Sequence, residues 1–192
     1  MKRNGFTLLQ AVLLIAAVLI LAVIFFAVRG IRGPVPNRRS SCQWNLKVIA
    51  LAFKQYNQDY KECFPCAMSG DAFESKSTWP DVLEPYIMNQ QIFSCPSDTA
   101  ATKKEFISYG YNSNLGSKNE SKMNNSAWII LNYEVTGSKK ATCGNTTAAV
   151  TAPTRHLEGA NYSFVDGHVK WLKPEKISNT AIDANTPSFI VH

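Results

Sequence analysis

Apolar residues form one long uninterrupted run near the amino end of the chain. No charged residue occurs from Ala11 to Val28, and only Thr7 and Gln10 are polar after Phe6. As an α-helix, residues 6–28 would extend about 34 Å, enough to cross a hydrocarbon core of about 30 Å with a slight tilt. The run therefore predicts a transmembrane helix over residues 6–28.

Two other interpretations of this run stay open. A cleaved secretory signal peptide has a shorter apolar core and a cleavage site of small residues after it. The segment Ala27-Val28-Arg29 resembles such a site only weakly. A signal anchor without any processing is the second alternative.

The pattern after the apolar run breaks the helix. Gly30 and Gly33 are poor helix formers, and Pro34 and Pro36 each remove a backbone donor. We expect a hinge over residues 29–37. The remaining residues, 38–192, suit one compact domain.

A second helix is predicted from Ser40 to the Phe64-Pro65 pair. Ser40 and Gln43 have the spacing of a capping box. Apolar residues then recur at alternating steps of three and four, which indicates one face packed on a core. These residues are Leu46, Ile49, Phe53, Tyr56 and Tyr60.

The middle of the chain contains two strand candidates, residues 106–111 and 128–133, which are rich in aromatic and β-branched residues. The polar stretch 112–125 and the small-residue stretch 138–153 are predicted loops.

Two shorter elements precede these strands. Residues 79–86 predict one helical turn with Pro80 at its first position. Residues 92–98 predict an extended segment that runs into a turn.

Asp166-Gly167 lies between two alternating runs and predicts a hairpin with a two-residue turn. This register pairs Val165 with His168. It gathers four apolar side chains on the face towards the second helix: Tyr162, Phe164, Val169 and Trp171. The predicted fold class is α+β, in which a transmembrane helix is followed by an amphipathic helix packed on a small antiparallel sheet.

Charge changes this picture little. The formal net charge is +6, and much of it flanks the apolar run. Because basic residues lie on both sides of the run, the positive-inside rule does not choose an orientation. The basic residues that flank the run could contact anionic membrane lipid; they are Lys2, Arg3, Arg29, Arg32, Arg38 and Arg39. No nucleic-acid partner is expected, since the chain has no recognised motif and no long basic run.

Five cysteines follow the apolar run, which fits an oxidising compartment. They are Cys42, Cys63, Cys66, Cys95 and Cys143. The odd count leaves at least one outside any intrachain disulfide. Cys63 and Cys66 form a Cys-x-x-Cys motif, which can be redox-active or half of a zinc site. A second such motif is missing, so structural cysteines are favoured.

The amino terminus carries a family resemblance. A short basic leader ending in Gly5, followed by Phe6-Thr-Leu-Leu, resembles a type IV prepilin signal. The resemblance implies that residues 1–5 are a leader, that prepilin peptidase cuts between Gly5 and Phe6, and that the new amino group of Phe6 is methylated. Gln10 stands where most such proteins have a Glu that pairs with the amino terminus of a neighbouring subunit. An amide supplies no charge, so weaker pairing is expected, which leaves room for a minor or tip subunit.

The hairpin carries a second resemblance. His156 precedes Asp166-Gly167 by nine residues, which resembles the His-x9-Asp-Gly signature of prepilin-processing-associated proteins. Further stretches match that family in its order: residues 39–47, 56–60, 64–65, 93–98, 108–112 and 155–156. These proteins resemble the major pseudopilin of type II secretion, so a pilin-like fold is implied. The resemblance also implies a disulfide between Cys42 and Cys95.

A metal site is one interpretation of the motif histidine. Pseudopilins often hold calcium in a carboxyl-terminal loop, and His156 could join Asp166 and His168. Calcium takes six to eight oxygen ligands, whereas the nearby carboxylates are few: Glu158, Asp166 and Glu134. A histidine that hydrogen-bonds the backbone and holds the loop before the hairpin is therefore favoured, and no cofactor is expected.

Together these patterns predict a structural protein without catalytic residues. We expect a single-pass protein of the bacterial inner membrane with an extracytoplasmic carboxyl-terminal domain. Its partners would be prepilin peptidase, membrane lipid and other pilin or pseudopilin subunits of a pilus-like filament or secretion pseudopilus. The first alternative is a membrane-tethered binding module that never polymerises, and the second is a tethered enzyme that uses Cys63 and Cys66.

Overall fold

The computed structural model describes residues 7–30, 38–66, 78–99, 106–138, 142–144, 155–178 and 186–191. The chain divides into two compact units, residues 1–36 and 37–192. The predicted leader, the cleavage site between Gly5 and Phe6, and residues 31–37 of the predicted hinge lie outside the described residues.

The first unit contains one helix, α1 (Leu8–Gly30). It begins with a reciprocal cap, because Thr7 N–H donates to Gln10 Oε1 (3.0 Å) and Gln10 N–H donates to Thr7 Oγ1 (3.4 Å). The segment Leu8–Phe26 has a mean hydropathy of 3.1 and exposed side chains, and it is long and apolar enough to span a membrane. The helix ends two residues later than the predicted 6–28, so it includes the start of the expected hinge.

The second unit begins with α2 (Arg38–Asp59). Ser40 and Gln43 lie inside this helix, so the predicted capping box is wrong: the helix already runs through both positions. The apolar stripe is confirmed for its first three residues, Leu46, Ile49 and Phe53, which are fully buried. The predicted stripe does not extend to Tyr60, because this residue lies beyond the end of α2 and is exposed.

Five strands form one sheet in the order β3-β1-β2-β4-β5. They are β1 (Ile107–Asn112), β2 (Ile130–Ser138), β3 (Thr142–Gly144), β4 (Ala160–Phe164) and β5 (Val169–Leu172). Four of them pair antiparallel, as expected for an α+β fold, whereas β3 pairs parallel with β1. The predicted loop 138–153 is therefore wrong at β3, a three-residue edge strand too short to show an alternating pattern.

The short elements before the sheet follow the predictions only in part. The helix α3 (Trp79–Leu83) continues into a 3-10 helix (Glu84–Tyr86), and Pro80 occupies its second position instead of its first. A 3-10 helix (Gln90–Phe93) replaces the start of the predicted extended segment. It begins there because the Asn89 side chain accepts a hydrogen bond from the Gln91 N–H. The predicted turn follows, closed by Asp98 N–H donating to the Cys95 carbonyl.

The β4–β5 hairpin differs from its prediction by one residue. Tyr162 pairs with Lys170 and Ser163 with Val169, so the predicted register is wrong. Gly167 N–H donates to the Phe164 carbonyl, and Gly167 has φ +90°. This is the three-residue loop with a left-handed glycine, which uses an Asp-Gly pair as readily as the two-residue turn.

The shift in register turns β4 over relative to the prediction, whereas β5 keeps its predicted face. Tyr162 and Phe164 lie in a second core on the sheet face opposite α2, with Ile130, Tyr133, Ala160, Leu172 and Phe189. Val165 instead packs in the core that contains α2, and Val169 packs against that core as predicted. The sheet is therefore covered on both faces, which leaves Asn161 and Ser163 buried between sheet and helix.

Candidate functional site

A buried group of four polar or sulfur-bearing side chains lies between α2 and the sheet. Cys42, Cys95, Glu134 and His156 each bring one ligand-type atom within 4.8 Å of the others. They come from α2, from the turn after the Gln90–Phe93 helix, from β2 and from the turn before β4. Within the ranges that the structure describes, no other group of three such residues converges. We call these four residues the buried cluster.

Cys42 and Cys95 form a disulfide, with Cα atoms 5.3 Å apart and a separation of 53 positions along the chain. This is the pair that the family resemblance implies. Beside it, Asn45 Nδ2 donates to the Ser94 carbonyl (2.9 Å), so α2 is tied to the same segment twice. Closing a loop of this length stabilises the fold by about 4 kcal/mol in the simple chain-entropy model.

Glu134 supplies the buried negative charge of the cluster. Its side chain is 0% exposed, and Oε1 lies 3.0 Å from His156 Nε2. Asn161 donates twice, from Nδ2 to Oε1 (2.9 Å) and from its backbone N–H to Oε2 (3.0 Å). A buried carboxylate needs such donors to offset the loss of water. Glu134 is therefore held in one orientation towards His156.

His156 is positioned by a tight two-residue turn. Leu157 and Glu158 have φ of +55° and +63°, and His156 and Gly159 on either side of them form a backbone bridge. Left-handed backbone costs about 1–2 kcal/mol for a residue other than glycine. Trp171 secures the turn, because its Nε1 donates to the His156 carbonyl (2.7 Å).

Trp171 also explains the glycine that ends this turn. A Cβ atom on Gly159 would come within 2.5 Å of the Trp171 ring. No residue larger than glycine therefore fits there without displacing the ring. The histidine was found from the sequence, whereas the turn that holds it was not, since Leu-Glu is not typical turn chemistry.

Other residues from the family-like stretches contact one another around the cluster. Arg155 Nη1 lies 2.9 Å from Asp98 Oδ2, and both side chains are nearly buried. Asp98 also accepts the Gly137 N–H (2.7 Å). Lys47 of α2 donates to the Gly167 carbonyl (2.5 Å). Stretches that are distant in the sequence thus meet as contact pairs in the fold.

Asp166 and His168 form a separate exposed pair at the hairpin. Asp166 Oδ1 lies 2.6 Å from His168 Nδ1 and accepts the His168 N–H (3.0 Å). His156 lies before β4 and Asp166 after it, and five residues of strand extend about 16 Å. The predicted metal set of His156, Asp166 and His168 is therefore not assembled, and the motif histidine bonds a carboxylate instead of backbone.

Cys95, His156 and Glu134 are the residue types of a nucleophile, a base and an orienting group, but a single ring nitrogen, His156 Nε2, faces both Cys95 and Glu134, so they do not form a catalytic relay. Cys95 Sγ lies 3.8 Å from His156 Nε2. Yet the sulfur is committed to a disulfide, and each of these residues is at most 5% exposed. A substrate therefore cannot reach it in this fold.

The other three cysteines are thiols outside any disulfide. Burial and the neighbouring Cys66 raise the pKa of the Cys143 thiol to about 11. Because the thiolate is the reactive form, Cys143 is a poor nucleophile at neutral pH. Cys66 is exposed, and Cys63 lies 3.8 Å from Asn119 Nδ2.

Sequence reasoning missed Asn161 entirely and considered Glu134 only as a calcium ligand. A charged residue inside an apolar strand is the signal that could have indicated Glu134, because such a residue needs a buried partner.

Comparison with family models, curated proteins and solved structures finds no match to this chain.

Proposed function

We propose that this protein is a structural subunit of a type IV pilus-like filament or a type II secretion pseudopilus. The observation that carries the proposal is the apolar segment Leu8–Phe26 of α1, whose side chains are not buried within the fold. Such a surface needs either lipid or other apolar helices around it. The prepilin-like leader before it supports maturation by cleavage between Gly5 and Phe6.

The same helix would serve twice. It first anchors the precursor in the inner membrane, with the carboxyl-terminal domain outside the cytoplasm. It then leaves the lipid and packs beside the helices of other copies. Because lipid is as apolar as the helix, close packing and not burial from water would drive that step.

Gln10 supports a minor position in such a fibre. Its side-chain oxygen accepts the Thr7 N–H of its own helix (3.0 Å). The amide carries no charge with which to attract the methylated amino terminus of a neighbour. The same observation favours the alternative function, a membrane-tethered binding module that does not polymerise.

The leader is tested by the mass of the mature protein. Wild type should begin at Phe6 with one added methyl group, and Gly5→Glu should stay a precursor. Asn4→Ala serves as the control, since it changes the leader beside the cut and should be processed. A mature chain that begins beyond Val28 would identify a cleaved signal peptide and overturn the proposal.

Assembly is tested by photo-crosslinking between α1 helices. A photoreactive residue at Leu13 should yield products containing several copies in wild type. Gln10→Glu should increase their yield, because it restores the charge for pairing with a neighbouring amino terminus. Crosslinks to lipid alone in both proteins would support the tethered binding module.

A further inference from the structure

We propose that reduction of the Cys42–Cys95 disulfide converts the buried cluster into a binding site for one zinc ion. The ligands would be both cysteine sulfurs, Glu134 and His156. The inference concerns the domain alone and does not depend on filament assembly. In the structure described above, the two sulfurs are bonded to each other, so the site exists only in the dithiol state.

The donor set suits zinc and not calcium. Two thiolates, an imidazole and a carboxylate are typical zinc ligands in a four-coordinate tetrahedral site. Calcium takes six to eight oxygens, and this cluster contains the two oxygens of one carboxylate. The chemistry of the ligands therefore differs from that of the calcium site considered from the sequence.

The spacing of the donors also fits. Tetrahedral zinc at the usual bond lengths separates nitrogen or oxygen from sulfur by about 3.6 Å, and nitrogen from oxygen by about 3.4 Å. Cys95 Sγ lies 3.8 Å from His156 Nε2 and 3.9 Å from Glu134 Oε1. His156 Nε2 lies 3.0 Å from Glu134 Oε1. Each of these three separations, among Cys95, His156 and Glu134, is within about half an ångström of the tetrahedral value.

The surroundings already hold two of the ligands in place. Asn161 fixes the Glu134 carboxylate with two hydrogen bonds, and the Leu157-Glu158 turn with Trp171 fixes His156. Outer residues of this kind orient ligands and raise metal affinity. The two sulfurs have to move apart, and Cys42 Sγ, which lies within 4.8 Å of the other donors, has to adjust to the tetrahedral separation.

Formation of the zinc site takes two steps, reduction of the disulfide and binding of the ion. A dithiol reductant gives two electrons to the Cys42–Cys95 bond, which breaks. Each sulfur takes a proton, and the reductant becomes its own disulfide. Zinc then displaces one proton from each thiol and takes lone pairs from Glu134 Oε1 and from His156 Nε2, with the imidazole proton on Nδ1. Two protons are released for each ion bound.

Zinc would preserve a connection that reduction otherwise breaks. The disulfide links α2 to the segment around Cys95. A bound ion would link the same two elements and add β2 and the turn before β4. Reduced protein with zinc should therefore keep more of its thermal stability than reduced protein without it.

The test uses the full chain in detergent with Cys63, Cys66 and Cys143 changed to Ser, so that only the cluster can supply thiolates. The protein is reduced with excess dithiol, desalted under nitrogen and titrated with Co²⁺ and then Zn²⁺. We expect one Co²⁺ per reduced chain with a thiolate charge-transfer band, displacement by Zn²⁺, a higher Tm with zinc, and no binding to the oxidised protein.

Variants separate the cluster from adventitious binding. Glu134→Gln and His156→Gln should each weaken zinc binding about tenfold or more. His168→Gln, which changes the exposed histidine, should leave binding unchanged. Equal binding by all three variants would overturn the proposal, as would a reduced protein that stays folded without taking up metal.

Loss of the fold on reduction is handled by adding equimolar Zn²⁺ before a phosphine reductant, which competes for zinc far less than a dithiol does, and measuring the mass of the folded chain by native mass spectrometry. A mass increase of one zinc supports the site. Unfolding despite the zinc counts against it.

Discussion

The buried cluster and the hairpin tip each contain a histidine beside a carboxylate. His156 Nε2 lies 3.0 Å from Glu134, and His168 Nδ1 lies 2.6 Å from Asp166. The side chains of the first pair are 3% and 0% exposed, whereas those of the second are 41% and 35% exposed. His156 lies in the turn before β4 and bonds to Glu134 of β2, whereas Asp166 and His168 both follow β4.

We expect burial, and not distance, to decide how much each pair contributes to the free energy of unfolding. Water and salt screen the exposed pair, so its attraction is largely offset by the ordering of two side chains. In the buried cluster, removing one partner leaves the other without water or a replacement donor. The contact between Asp166 and His168 is the shorter of the two, yet we expect it to contribute less to the free energy of unfolding.

The largest effect is expected from removing the buried carboxylate. Glu134→Ala should lower the free energy of unfolding by about 3–5 kcal/mol, because His156 and both Asn161 donors lose their partner. Asp166→Ala, the matched change at the hairpin, should lower it by about 1 kcal/mol or less. Chemical unfolding followed by tryptophan fluorescence measures both. Equal losses would refute the role of burial.

High pH should lower the free energy of unfolding through tyrosines in the interior. Burial raises the pKa of Tyr133, of Tyr162 and of Tyr109 well above the ordinary value of 10. The unfolded chain therefore releases these protons first. The stability is intact below pH 10 and falls as pH rises towards the folded values.

The slope should be about 1.4 kcal/mol per pH unit above 10 for each buried tyrosine. Unfolding free energies measured from pH 9 to 11.5, together with tyrosinate absorbance, test this. Tyr162→Phe should make the dependence shallower. A dependence unchanged in that variant would show that other groups cause it.

The turn before β4 can be improved without touching the cluster. Leu157→Asn combined with Glu158→Gly should raise the unfolding free energy by about 1–2 kcal/mol, because both residues have left-handed backbone. Hydrogen exchange at the His156 amide should slow in parallel. Destabilisation would mean that the exposed Leu157 side chain, or the ion pair between Glu158 and Lys173 (3.2 Å), contributes more than the relief of the left-handed backbone.

The smallest effect is expected at the exposed histidine. His168→Gln should change the unfolding free energy by less than about 1 kcal/mol, and the change should shrink in 1 M salt. The loss caused by Glu134→Ala should persist in that salt. A salt-independent loss at His168 would indicate that its stacking on Phe164, at 4.2 Å between ring centroids, matters more than charge.

Local patterns predicted the elements well. An uninterrupted apolar run is sufficient for α1, and helical spacing is sufficient for the buried face of α2, because both depend on neighbours within a few residues. The pairing of Cys42 with Cys95 came from a resemblance over ordered motifs. Periodicity alone could not have selected that pair among five cysteines.

The hairpin shows where local pattern fails. Asp166-Gly167 fits a two-residue and a three-residue loop, and the two differ by one position in register. The structure selects the longer loop, in which Val165 packs under α2 and Phe164 packs in the second core. Both faces of this strand are buried, so alternation along the strand could not indicate which face meets the helix.

The sequence by itself determined an apolar amino-terminal helix, an amphipathic second helix and a sheet of short strands. Tertiary structure alone decided that Glu134, His156 and the disulfide meet under α2 while Asp166 and His168 remain in solvent. The physical reason is that helices and turns follow from near neighbours, whereas the surroundings of a charge depend on which distant segments exclude water from it.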